Sequence, residues 1–430
     1  MSFMFRSAPR IVCEAGGIAK TGSLMKELGA SRVTIVCDPG IVKLGFAQKA
    51  QDALEAAGIA VQIFSDVEAD PPQKIVEAAI AGARDWKADG VIGLGGGSSL
   101  DSAKLVALLA NSDQTIEEIY GIDKATGDRL PLIQIPTTAG TGSEVTWVSV
   151  ITDNDNLKQV VYTPQLMPDI ALLDAELTYG LPQKVTAATG LDAMVHAIEG
   201  YTSRTRKNPI ADGMAVTALS LLGKNLMKVI ENPGDKEARS AMLQGSLIAG
   251  MAFANASVAA IHGLAYPLGA RFHIPHGHAN ALVMAQVIRF NLPAAKKLYA
   301  ELAPCLIEGV DFDSEDAAAE AFVKRIEEMV PASGLEIRLR DLGVTEESLP
   351  EMAEEVCSGA IQIVWPPAPC ALKAVSGSFG SASAPRFSHH RKPYLSSVGV
   401  GVRDRCIQST GRICSPFHAP FWQMNWPNFA

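Results

Sequence analysis

Apolar and polar positions follow two different rhythms along the 430-residue chain. From about residue 9 to 180, short β-prone runs alternate with alanine- and lysine-bearing segments. Ser31 to Val36 reads SRVTIV and precedes Pro39-Gly40, and Ile59 to Phe64 reads IAVQIF. Gly90 to Leu94 reads GVIGL and runs into three glycines, while Leu132 to Ile135 reads LIQI and ends at Pro136. Such runs, bounded by Gly or Pro, predict strands; strands alternating with helices need crossover connections and hence a largely parallel sheet. From about 183 to 356 the sequence is rich in alanine and leucine with few β-branched runs, which predicts helices. The expected architecture is an α/β nucleotide-binding domain over residues 1–182 joined to an all-helical domain over 183–356. Two domains also suit a length beyond the usual ceiling for one hydrophobic core.

After residue 356 both rhythms stop. Residues 357–430 carry seven Lys or Arg and one acidic residue, Asp404, a net charge of +6 in a chain of net charge −9. They also hold eight prolines, four of the seven cysteines and three of the five tryptophans. The Pro366-Pro367 and Pro369 cluster cannot continue a helix interior, because proline lacks an N–H and clashes with the preceding turn. The expectation is an atypical tail that is disordered or poorly packed, as an altered reading frame near residue 356 produces. The alternative is a targeting or metal-binding tail using its scattered cysteines and His389 and His390.

Composition narrows the partners. With 48% apolar and 19% charged residues the chain reads as a soluble enzyme. Its negative charge argues against nucleic acid and anionic membranes as partners. The first residues, MSFMFRSAPR, lack an apolar secretory core, and seven irregularly spaced cysteines give no disulfide framework, so the cytoplasm is the expected compartment. Residues 240–270 contain no Asp, Glu, Lys or Arg. They do contain Gln244, Asn255, Ser257 and His262, costly in lipid, and are read as buried helices instead of a membrane span.

Two loops suit a phosphate-bearing ligand. Gly95-Gly96-Gly97-Ser98 follows a predicted strand and opens a helix, where free backbone N–H groups favour a pyrophosphate; a plain strand-to-helix turn is the alternative. Pro136 to Glu144 reads PTTAGTGSE and packs the hydroxyls of Thr137, Thr138, Thr141 and Ser143 around two glycines. Asp38, at the end of SRVTIVCD, either accepts hydrogen bonds from an NAD ribose or caps a turn.

A further set of residues suits a metal. Asp192 and His196 in GLDAMVHAIEG are four apart, which places both on one helix face. His262 and His276 follow, fourteen residues from each other. One carboxylate and three imidazoles suit Fe(II), Zn or another divalent transition metal, whereas His196 and His262 read blandly are hydrogen-bonded core residues.

Taken together, these segments resemble the iron-containing (group III) alcohol dehydrogenase family. The pattern GGGSxxDxAK stands at 95–104, PTTAGTGSE at 136–144, GLDAxxHAIE at 190–199, and HGLAxxLG at 262–269 followed by PHG at 275–277. The resemblance covers about residues 8–356. It implies a Rossmann-like cofactor domain, a helical metal domain and an active site in the cleft between them. It carries the metal role onto Asp192, His196, His262 and His276, and NAD contacts onto Asp38, Gly96, Gly97, Ser98, Thr137, Thr138, Thr141, Ser143 and Lys158. The implied reaction exchanges hydride between NAD and a small primary alcohol or its aldehyde, with Fe(II) or Zn polarising the substrate oxygen. Related NAD-linked reductases or dehydrogenases of a hydroxy acid, diol or lactaldehyde, or an enzyme impaired by its altered C-terminus, are the alternatives. The family often has a histidine four residues after the third ligand, where this chain has Tyr266; Tyr266 and His273 are the expected proton-handling residues. A homodimer is the expected assembly.

Overall fold

The computed structural model describes residues 2–204 and 206–357. Strands end at Leu173 and continuous helix begins at Gln183. The tail expectation for 357–430 lies outside the described residues, apart from Cys357 at the end of the last helix.

Six strands form one parallel sheet: β1 (Arg10–Cys13), β2 (Arg32–Val36), β3 (Ala60–Phe64), β4 (Gly90–Gly95), β6 (Leu132–Pro136) and β9 (Ile170–Leu173), in the order β1-β9-β6-β4-β2-β3. A smaller sheet joins β5 (Gly121–Ile122), β8 (Lys158–Tyr162) and β7 (Val148–Thr152), the last two antiparallel. The four runs named from sequence are β2, β3, β4 and β6 to within a residue of each end. Helices α1 (Thr21–Glu27), α2 (Pro39–Lys43), α3 (Phe46–Ala56), α4 (Gln73–Asp85) and α5 (Gly97–Leu109) are interspersed with these strands.

Period-two side-chain alternation fills both faces of this sheet. Ile35, Ile92, Leu94 and Ile133 pack with Met25, Ala50 and Leu54 of α1 and α3. Val36, Val91 and Leu132 point the other way, toward Val76 and Ile80 of α4 and Val106 of α5. A sheet covered on both sides has its functional edge where its strand order reverses. The chain passes from β2 outward to β3 and then returns to β4 beside β2. Asp38, the glycine turn and the PTTAGTGSE loop all leave the carboxyl ends of β2, β4 and β6, which are neighbours at this point.

The second half consists of α6 (Gln183–Thr202), α7 (Pro209–Glu231), α8 (Lys236–Asn255), α9 (Ala260–Phe272), α10 (His276–Leu306), α11 (Glu315–Ala332) and α12 (Leu349–Cys357). Their core is continuous and takes in Ala139 and Val145 from the β6–β7 connection. The charge-free stretch 240–270 is broken after Asn255 into α8 and α9, which are bent by 104° to each other. By length and composition α7 is apolar enough to cross a membrane, with 39% of its most apolar window buried. It packs along α6, α8 and α10.

Candidate active site

The glycine turn and the hydroxyl-rich loop meet each other. Gly96 precedes α5 without any side-chain cap, so the first N–H groups of α5 point out of the helix unclaimed by one. A Cβ on Gly97 would stand 2.8 Å from Thr141 Cγ2, so glycine is what lets the loops touch. Thr138 lies 3.7 Å from where a Gly96 Cβ would be. Ser98, Thr138 and Thr141 are partly exposed, whereas Thr137 is buried with its N–H donated to the Gly95 carbonyl at 2.9 Å.

Asp38 takes the capping role that the sequence left open. Its Oδ1 accepts from Gly40 N at 2.8 Å and Ile41 N at 3.2 Å, starting α2. Its Oδ2 accepts from Ser99 Oγ at 3.4 Å, beside the glycine turn. One oxygen therefore holds the turn and the other faces Ser99 beside the glycine turn.

Ser143, expected to contact the cofactor, is engaged inside the protein. It is buried, donates to Asp101 Oδ1 at 2.5 Å and accepts from Lys104 Nζ at 2.7 Å. Lys104 Nζ also donates to Thr146 Oγ1 at 3.0 Å and the Val148 carbonyl at 2.8 Å. Burial lowers the Lys104 pKa, against the opposing pull of Asp101 and Glu144. Asp101 and Lys104, both within the GGGSxxDxAK pattern, together tie α5 to the loop.

The metal set gathers from three helices. Asp192 and His196 project from α6, His262 from the first turn of α9 and His276 from the first turn of α10. Asp192, His196 and His262 are buried, with ligand atoms all within 4.8 Å of one another. His276 stands at their margin, its side chain 36% exposed and its Nε2 3.8 Å from Asp192 Oδ1. Asn280, one turn along α10, donates to Asp192 Oδ1 at 2.6 Å and lies 3.3 Å from His276 Nε2. The His196 ring stacks on Phe253 of α8 with centroids 4.2 Å apart.

The donor atoms suit a cation. His196 Nδ1 lies 3.3 Å from the Gly140 carbonyl and His262 Nδ1 2.7 Å from Glu199 Oε2, both acceptors, contacts that suit a hydrogen on each Nδ1. Burial drives the His196 pKa down to about 3, which keeps that ring neutral. The two Nε2 atoms then face each other at 3.0 Å with Asp192 Oδ1 3.8 Å from His262 Nε2. Facing lone pairs beside a carboxylate repel unless a positive centre lies between them, and nitrogen with oxygen suits Fe(II) or Zn.

The two halves join at Gly140. A Cβ there would stand 2.6 Å from Thr189 Cβ, so the loop backbone lies directly on α6 and brings its carbonyl to His196.

The remaining expected residues divide. Tyr266 lies beside His276, ring centroids 5.7 Å apart; burial pushes its phenol well above the usual range, helped by Asp192, Glu199 and Asp101, which keeps it protonated and a weak acid at neutral pH. His273 is exposed and closes α9 in a left-handed conformation (φ 53°), with no ring contact to the cluster among the described residues. Lys158 donates to Asp70 Oδ1 at 2.6 Å and Thr152 Oγ1 at 3.0 Å. Asp70 and Lys158 are also among the charges that act on His276. The sequence assigns no individual role to Asn280 or Asp70, and places Glu199 and Gly140 only within the GLDAxxHAIE and PTTAGTGSE motifs. Asp192, His196 and Glu199 fall at i, i+4 and i+7, and Asn280 follows His276 by four, so helical periodicity carried a signal for two of them.

Comparison with known proteins agrees with this geometry. Residues 8–175 match the family described as iron-containing alcohol dehydrogenase, and residues 186–372 match the Fe-containing alcohol dehydrogenase family, C-terminal. The second match runs past the composition break at residue 357. The chain is 41% identical over 337 residues to long-chain-alcohol dehydrogenase 1 of Geobacillus thermodenitrificans, covering 77% of this chain and 84% of that one. It resembles the structure of an alcohol dehydrogenase from Oenococcus oeni with a TM-score of 0.83 at 30% identity, over 88% of this chain and 100% of the other. Sulfoacetaldehyde reductase from Bifidobacterium kashiwanohense in complex with NAD+ gives 0.78 at 30% identity, over 89% and 100%. By sequence, fold and the placing of these side chains, the chain belongs to the iron-containing alcohol dehydrogenase family.

Proposed function

We propose that this protein interconverts a small primary alcohol and its aldehyde by exchanging hydride with NAD, with Asp192, His196, His262 and His276 holding a divalent ion. The observation that carries the reading is the buried Asp192–His196–His262 cluster, joined through the Gly140 carbonyl to the loop at the switch point of the sheet. Kinship with NAD-linked, metal-dependent dehydrogenases supports iron, and zinc fits the same donors. When bound, the ion acts as a Lewis acid toward the substrate oxygen. The chain's own residues align the reactants. The free N–H groups of α5 and the hydroxyls of Ser98, Thr138 and Thr141 suit the pyrophosphate, and Asp38 Oδ2 suits a ribose hydroxyl and disfavours a 2′-phosphate. Lys158, held by Asp70, supplies positive charge near the nicotinamide end.

The names of relatives, from long-chain alcohols to lactaldehyde and sulfoacetaldehyde, support the substrate class and leave its member open. A homodimer in the cytoplasm completes the proposal. Its supports are the β1 edge, unpaired among the described residues, the apolar hollow where Ile11 meets Ile210, Met214 and Ile248, and free thiols at Cys13, Cys37 and Cys305.

The test joins metal analysis of anaerobically purified protein to steady-state rates at 340 nm across an alcohol and aldehyde panel. Bound iron or zinc, lost in Asp192→Asn together with NADH-linked turnover, is the expected result. Full turnover in metal-free protein would overturn the reading.

A further inference from the structure

Glu199 is not among the side chains expected to hold the metal, yet it aims one that is. Its carboxylate is 3% exposed and makes three contacts. Oε2 accepts from Ala259 N at 2.8 Å and lies 2.7 Å from His262 Nδ1, and Oε1 accepts from Ile261 N at 2.7 Å. Ala259 is the cap residue of α9 and offers no side-chain acceptor to its own helix. The Ala259 and Ile261 N–H groups at the start of α9 are therefore satisfied by a carboxylate from α6, whose negative charge also complements the positive end of the helix dipole. One buried group fixes both the start of the helix and the ring on its third residue.

A carboxylate buried among donors accepts hydrogen bonds, so the hydrogen at its contact with His262 belongs to Nδ1. That leaves the Nε2 lone pair facing His196 Nε2 at 3.0 Å and Asp192 Oδ1 at 3.8 Å. The opposite form of the ring would present a hydrogen to the metal site and could not bind a cation through Nε2. We propose that Glu199 is a positioning residue for metal binding: it selects the Nε2-donor form of His262 and, by capping α9 from outside, sets where that nitrogen stands. It governs how tightly the ion is held. A carboxylate behind a ligating histidine raises the ring's basicity, and removing such a partner weakens metal affinity by about 10- to 100-fold.

The inference rests on Asp192, His196 and His262 being metal ligands, and its test separates the two claims. In full-length wild-type protein freed of metal and labelled with 15N-histidine, NMR should show hydrogen on His262 Nδ1. A bare Nδ1 there overturns the proposal without any variant. Glu199→Gln places an amide NH2 where the carboxylate accepted, so it cannot serve all three donors. Chelator competition should then give zinc affinity about 10- to 100-fold weaker than wild type, with NADH affinity of the metal-free variant within about twofold of metal-free wild type as the sign of an intact fold. Wild-type zinc affinity in Glu199→Gln, with the His262 form unchanged, overturns the role. Retention of zinc by Asp192→Asn strikes instead at the ligand reading, while the NMR result still decides what Glu199 does to the ring.

Discussion

The Asp38 carboxylate stands between β2 and the glycine turn with Oδ1 engaged by Gly40 and Ile41 and Oδ2 turned toward Ser99. Asparagine keeps an oxygen for the cap and removes the charge, so Asp38→Asn should leave stability within about 1 kcal/mol while the NAD-to-NADP ratio of kcat/KM falls. An unchanged ratio in Asp38→Asn and Asp38→Gly leaves Asp38 as a cap alone. Glu144 gives a residue-scale pH prediction. It is buried with Oε1 lacking a hydrogen-bond partner, and burial raises its pKa to about 7 against the pull of Lys104. The folded protein therefore holds a proton that the unfolded chain releases near pH 4.5, and the group's contribution falls as pH rises from there to about 7. Glu144→Gln removes this loss, so its Tm relative to wild type should be higher at pH 8 than at pH 5; a constant difference refutes it. These residues also show what sequence conveys about a site. Asp192 and His196 were legible because four-residue spacing is enough to place two side chains on one helix face. The partners behind them were not, because Gly140 acts through a carbonyl and Glu199 reaches a backbone 60 residues away.

At the scale of elements, strands bounded by Gly or Pro could be read directly, since each side chain in β2 or β4 meets a covered face and must be apolar. β1 was harder: it is a sheet edge with Arg10, Ile11 and Cys13 exposed, so no alternation marks it. The hairpin of β7 and β8 mixes Ser149, Thr152, Lys158 and Gln159 with its apolar positions. The break between α8 and α9 was hidden because its cap comes from Glu199 and not from a local Ser, Thr, Asp or Asn. Lys104 is what makes α5, the loop and β7 one unit. Lys104→Met leaves Ser143, Thr146, Asp101 and the Val148 carbonyl without their shared donor, and breaking a buried charged network costs about 3–5 kcal/mol. Denaturant unfolding should show that loss, and fluorescence titration should show weaker NADH binding with metal content preserved. Equal NADH affinity in a folded Lys104→Met protein removes the lysine from any role in shaping the cofactor loop.

For the whole molecule, the change from strand to helix near residue 180 gave the architecture, because a period of two and a period of 3.6 need different sequence patterns. What no pattern could convey is that the loop between β6 and β7 enters the helical core and hydrogen-bonds His196. Ala139 and Val145 of that connection are packed into the helical core, and Gly140 between them places its carbonyl on His196. The same loop presents Thr138 and Thr141 to the glycine turn. A cofactor that orders this loop therefore also orders an acceptor that holds a metal ligand, and an ion that fixes His196 restrains the loop in return. Linkage requires the two effects to be equal: the factor by which metal tightens NADH must be the factor by which NADH tightens metal. We predict a factor of about 5 or more, within the usual span of coupling between sites. Calorimetric titration of NADH into metal-free and zinc-loaded protein measures one side, and chelator competition with and without NADH measures the other. NADH affinity that is the same with and without zinc would show that the Gly140–His196 contact joins the halves mechanically without coupling their ligands.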